Sequence, residues 1–174
     1  MAKKTIWRPV TPFLCLPKQT IMSCITITYA NILTQVKRFS AFEGREAADA
    51  SGQSQFQKVL ITEQDEDLIN DYMKQGIGLV LGSVSEMISG IAYNGDTSEV
   101  WTLKDSGYNH AVLGGALEQH VREAISAYIM SQWISNKIPE REPFYTRLFG
   151  SMLDMAKKNI FSRSGDSLNC TFRL

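Results

Sequence analysis

The stretch that most constrains this chain is residues 112–138, VLGGALEQHVREAISAYIMSQWISNKI. Its large apolar residues, Leu113, Leu117, Val121, Ala124, Ile125, Tyr128, Ile129 and Trp133, recur at the three-and-four spacing of one helical face. Gln119, Arg122, Glu123, Ser126 and Ser131 fall mostly on the other side, which predicts an amphipathic helix rather than one buried all round. Pro139 stops it. A second helix follows at once, from about Glu140 or Pro143 to Arg163. Its stripe is Phe144 or Tyr145, Leu148, Phe149, Met152, Ala156 and Ile160, with Lys157, Lys158 and Arg163 complementing its C-terminal dipole. The two make an antiparallel helical hairpin whose apolar face the remaining helices must cover.

Ahead of the hairpin, residues 1–21 stand apart. They hold Pro9, Pro12 and Pro17, three of the chain's five prolines, together with Trp7, Phe13 and Leu14. Proline at that density prevents a helix and removes ladder donors, so an extended arm is predicted, docked on the body or on a neighbour. The other reading, with Met22 as the true start and the arm an extension, stays open. Residues 22–174 are read as one domain. Residues 21–28, rich in β-branched side chains, predict a short strand. Ile32, Leu33, Val36, Phe39 and Phe42 then predict a helix over about 29–43, with Thr28 as N-cap and Gly44 as C′ residue. Residues 45–57 are small and polar and read as a loop.

A third helix is predicted from Thr62, which caps it with Asp65, through the stripe Leu68, Ile69, Tyr72, Met73, Ile77, Val80, Leu81, Val84, Met87 and Ile88. Gly76, Gly78 and Gly82 interrupt that stripe without shifting its phase, which points to close approach of a neighbouring helix. The turn Tyr93-Asn94-Gly95-Asp96 ends it. Residues 98–104 alternate as a short strand, 105–110 are loop, and the tail LNCTFRL is strand-like; residues 98–104 or the N-terminal strand are its available partners. The fold class is mainly α: about four helices in a bundle, a few short strands and the Pro-rich arm.

The totals narrow the function. A chain of 174 residues buries a core without staples, and 18 basic against 18 acidic side chains leaves a formal net charge of zero, unlike a dedicated nucleic-acid binder. Cys15, Cys24 and Cys170 are odd in number and widely spaced, form no zinc pattern, and are read as buried or partly buried free thiols in a reducing compartment. No run approaches the roughly 20 apolar residues of a membrane span, and no signal peptide is read, so a protein that is intracellular or assembled from intracellular stock is expected.

Little in the sequence specifies chemistry. His120 and Glu123 share a helix flank but lack the second ligand pair a metal needs, and His110 sits in predicted loop beside Asn109. Glu63, Asp65, Glu66, Asp67 and Asp71 read as a solvated, dipole-matched helix start; they lack the spacing and glycine of a calcium loop. Gly76-x-Gly78-x-x-x-Gly82 has no Gly-Lys-Ser/Thr ending and is no phosphate loop. No catalytic, cofactor-binding or metal residue is assigned, no cofactor is expected, and the chain is expected not to be an enzyme. Arg141, Arg147, Lys157, Lys158, Arg163 and Arg173 gather in the last quarter, as a solvated face or as a contact surface for an acidic partner or passing nucleic acid.

The pair VREAISAYIMSQWISNKIPER and EPFYTRLFGSMLDMAKKNIFSR, with the acidic helix start TEQDEDLINDYMKQGIGLVLGSVSEMIS, resembles the small head–tail connector (adaptor) proteins of tailed bacteriophages and prophages. The stretch ITYANILTQVKRFSAFEG looks like the opening of proteins from Bacteroides-type prophages. The resemblance covers roughly residues 22–165 and lies in pattern and order rather than in an invariant motif. It implies a virion structural protein of the neck, assembled in the host cytoplasm. Its partners would be further copies in a ring of about a dozen, the portal, and tail or neck proteins, with DNA passing unread and no membrane. A tail completion or terminator protein and a cellular helical interaction module are the alternatives.

Overall fold

A computed structural model describes residues 24–46, 56–104 and 110–161, with side chains for 24–46, 56–104 and 115–160. The predicted arm (1–21), the C-terminal tail, Cys15 and Cys170 lie outside those residues, and Leu113 is described in its backbone alone. The described chain is mainly helical, with one small sheet. It runs β1 (Cys24–Thr28), α1 (Tyr29–Glu46), a single turn α2 (Phe56–Val59), α3 (Glu66–Val84), β2 (Ile88–Asn94), β3 (Ser98–Leu103), α4 (His110–Ser135) and α5 (Glu142–Phe161). The helical hairpin is α4 and α5, packed along their length.

Its first helix is not amphipathic. From Val121 to Ile134 no residue of α4 is exposed, and Ser126 and Ser131 are buried with the apolar stripe. The reason is its position: α5, α3, α1 and β1 all pack on it, so its nominally polar side is covered as well. Small side chains make that possible, since Ala124, Ser126, Ala127 and Ser131 let neighbours close on every flank. Ser131 satisfies its hydroxyl on the Tyr128 carbonyl at 2.7 Å, whereas Ser126 Oγ is buried with no hydrogen-bond partner among the described residues. Near its end Trp133 donates from Nε1 to the Val59 carbonyl (2.7 Å), tying the segment before α3 to the hairpin. Lys137 lies 3.6 Å over the same indole.

The third segment departs furthest from expectation. The helix begins as predicted, with the Thr62 amide (2.9 Å) and hydroxyl (2.7 Å) both donating to Asp65 Oδ2 over a 3₁₀ turn. Those two donors hold the Asp65 carboxyl below its usual range. It stops, however, at Val84, and after a 3₁₀ turn (Ser85–Met87) the chain becomes β2 where helix was expected. Ile88, Ile91 and Tyr93 suit a strand, and Asn94-Gly95 with φ +61° at the glycine closes a tight hairpin onto β3. The sheet has order β1-β3-β2, all antiparallel, with a bulge at Ser89.

Smaller corrections follow the same physics. Gly44 is not the end of α1. It is buried inside the helix, where a Cβ would sit 3.0 Å from the Phe56 Cα, so the supposed loop at 56–57 is α2 packed on α1. Of the three α3 glycines only Gly76 marks a close approach, with Tyr128 Cδ1 3.0 Å from a Cβ placed there; Gly78 and Gly82 face open space. Leu68, expected in the core, is 45% exposed. Cys24 is exposed rather than buried, and His110 opens α4 instead of lying in a loop.

Candidate functional site

A concavity forms where the β2–β3 turn faces the middle of α3. It is an open cleft of about 710 Å³. Asn70, Lys74, Met73 and Ile77 of α3 form one wall, since residues at this spacing share a helix face. Tyr93, Gly95 and Asp96 form the other, and Tyr29, the first residue of α1, closes the end. β1 and α1 are contiguous, which is why Tyr29 reaches the turn: its amide donates to the Thr97 carbonyl at 3.1 Å.

Glu99 lies beside this cleft. The strand register sets it opposite both Ile27 and Tyr93, and alternation along β3 turns Glu99, Trp101 and Leu103 inward together. Glu99 is 2% exposed, and among the described residues neither its Oε1 nor the Trp101 indole nitrogen has a hydrogen-bond partner. Burial pushes the Glu99 carboxyl above its ordinary value; the Trp101 indole, near it but outside hydrogen-bond geometry, opposes this only in part. Burial also raises the Tyr29 phenol, with Glu99, Tyr93 and Asp96 adding to it. The cleft thus offers two phenols, a carboxylate at Asp96, an ammonium at Lys74 and a partly apolar α3 wall. Such a lining is complementary in chemistry to a mixed apolar and charged surface.

A second buried carboxylate has partners. Glu43, near the end of α1, accepts from Tyr145 Oη at 2.9 Å and faces Arg141 Nε at 3.5 Å. Burial, the hydrogen bond to Glu43 and its charge all push the Tyr145 phenol well up, Arg141 opposing. This clasp fixes the start of α5 to the end of α1, and Phe39 and Phe144 pack on the same tyrosine ring. A further open cleft, about 530 Å³, lies between α1 and α4 and carries Arg38 and Arg122 with Asn31, Thr34 and Gln35.

No protein family, curated protein or solved structure matches this chain.

The residues weighed in the sequence end up apart. His120 Nδ1 lies 2.9 Å from Asn159 Nδ2, while Glu123 accepts from Gln119 at 2.9 Å. Among the described residues no group of three or more His, Cys, Asp or Glu is placed to hold a metal. The acidic helix start is divided between Thr62, which holds Asp65, and Lys37, which pairs with Glu66 at 2.6 Å. Of the basic group, Arg141 faces Glu43 and Arg147 donates to the Pro143 carbonyl (3.1 Å), while Arg163 and Arg173 fall outside the described residues. No helix among the described residues is long and apolar enough to cross a membrane. Sequence reasoning missed the Tyr29–Tyr93–Asp96 cleft. The Asn-Gly turn was legible, but with β2 read as helix the turn had no strand to bend back.

Proposed function

We propose that this chain is a non-enzymatic structural protein of a tailed-phage or prophage virion, a head–tail connector whose copies close into a ring between portal and tail. The observation that carries the reading is the distribution of exposed apolar side chains. Leu68 and Leu79 share one flank of α3, Phe144 and Met155 stand on α5, Phe42 on α1 and Tyr93 on the edge strand β2. A heterologous ring needs two different surfaces per copy, and apolar groups exposed on separate elements supply them. The sequence resemblance points the same way. Arg38 and Arg122 in the α1–α4 cleft, with Asn31, Thr34 and Gln35, suit transient, sequence-blind phosphate contacts from passing DNA, with affinity falling steeply as salt rises.

Light scattering coupled to size exclusion over a wide concentration range, with images of the peak, tests this. Closed rings of about a dozen copies, formed alone or on a portal template, are the expected outcome. A tight dimer or a monomer in both settings would overturn it, the dimer in favour of a cellular interaction module.

A further inference from the structure

We propose that the cleft between α3 and the β2–β3 turn of one copy receives the outer face of α5 of the next. This inference rests on the ring reading and names the two surfaces that would build it.

At about 100° per residue, Phe144, Arg147, Ser151, Asp154, Met155 and Lys158 fall within one stripe of α5 roughly 100° wide. All six are exposed, and the stripe lies opposite Tyr145, Ala156 and Ile160, which bury the helix against the body. It mixes two large apolar side chains, half exposed at Phe144 and 41% exposed at Met155, with charges of both signs. None of Arg147, Asp154 or Lys158 is in an ion pair among the described residues. The cleft has the matching composition. Met73 and Ile77 make its α3 wall partly apolar, Tyr93 stands 66% exposed on the turn side, and Lys74 and Asp96 line the α3 and turn sides respectively.

The complementarity is specific in sign. Asp96 beside Tyr93 and Tyr29 suits a cation, since a carboxylate and aromatic faces both attract ammonium or guanidinium groups. Lys158 or Arg147 supplies that cation. Lys74 on the facing wall suits Asp154, which sits between the two basic residues along the helix axis, at one margin of the stripe. A helix of 20 residues is about 30 Å long, so it spans the cleft and continues beyond it along the exposed side of β2. Two different surfaces meet, so the contact repeats from copy to copy instead of closing as a dimer.

The test is a charge exchange on the whole chain, read by light scattering at fixed concentration and moderate salt, with melting as the check on folding. Asp96→Lys and Lys158→Glu, both at exposed positions, are each expected to leave the melting temperature unchanged and to cut the assembled fraction at least tenfold. The double variant restores the pair with its sign inverted and is expected to recover most of the assembly, as is an equimolar mixture of the two single variants. If the wild type assembles and the single variants assemble equally well, this contact is wrong while the ring reading stands. Single variants that fail without rescue by the double also overturn the pairing. A wild type that never assembles, alone or with a portal, removes both.

Discussion

Two buried glutamates carry opposite consequences for stability. Glu43 is held by Tyr145 and Arg141, so its charge is compensated where it lies. Removing the Tyr145 hydroxyl would leave Glu43 Oε1 buried without that donor, and Tyr145→Phe is expected to destabilise by roughly 1–3 kcal/mol in denaturant titration. Glu99 Oε1 has no such partner among the described residues, and burial displaces the carboxyl upward. A carboxyl whose folded pKa exceeds its unfolded value holds its proton more tightly in the native state. Its contribution is therefore intact at acid pH and is lost as pH rises from about 4, the unfolded value, through the higher folded one. Glu99→Gln escapes that loss. The variant should melt above the wild type at pH 8, with the gain shrinking toward zero near pH 4; a gain independent of pH would show that ionisation is not the cause. Ser126 presents a neutral version of the same problem, a buried hydroxyl with no partner inside α4. Ser126→Ala should stabilise by about 1 kcal/mol, through both desolvation and helix propensity.

At the level of elements, the helices were readable because their apolar spacing persists for several turns, and the capping residues Thr62 and Asp65 marked a start that the hydrogen bonds reproduce. The α3–β2 junction was not readable. Met87 and Ile88 continue the helical phase of Val80 and Val84 by coincidence, and what ends the helix is the demand of β3 for a second partner, a tertiary requirement absent from local spacing. The polar flank of α4 misled for a related reason, because serine and alanine look like surface until four neighbours close over them. The candidate cleft was invisible for the same cause as β2, since Tyr29 and Tyr93 are 64 residues apart and meet only through the sheet. The α3 glycines separate these influences experimentally. Gly78→Ala and Gly82→Ala meet nothing within 4 Å and should each stabilise by up to about 1 kcal/mol. Gly76→Ala meets the Tyr128 ring, held in place by its hydrogen bond to Gln75 (3.2 Å) and its packing on Phe149, and should destabilise by about 1 kcal/mol instead, read as a drop in melting temperature.

For the molecule as a whole, β2 is the exposed strand and α4 the enclosed helix. β2 is an edge strand exposed along most of its length, whereas the free edge of β1 is guarded where Glu118 accepts from the Thr26 amide at 3.4 Å. Association is thus expected at β2 and its turn and not at β1, and hydrogen exchange on assembly should protect amides of residues 88–96 while leaving those of 24–28 unchanged. The enclosure of α4 carries a consequence for how the protein is made. A ribosome delivers α4 before α5, so one flank of the most buried helix stays bare until residues 142–161 have left the exit tunnel. During that interval the nascent chain is a client for holdase chaperones, and a stop codon near position 139 would yield an insoluble product and no smaller working unit.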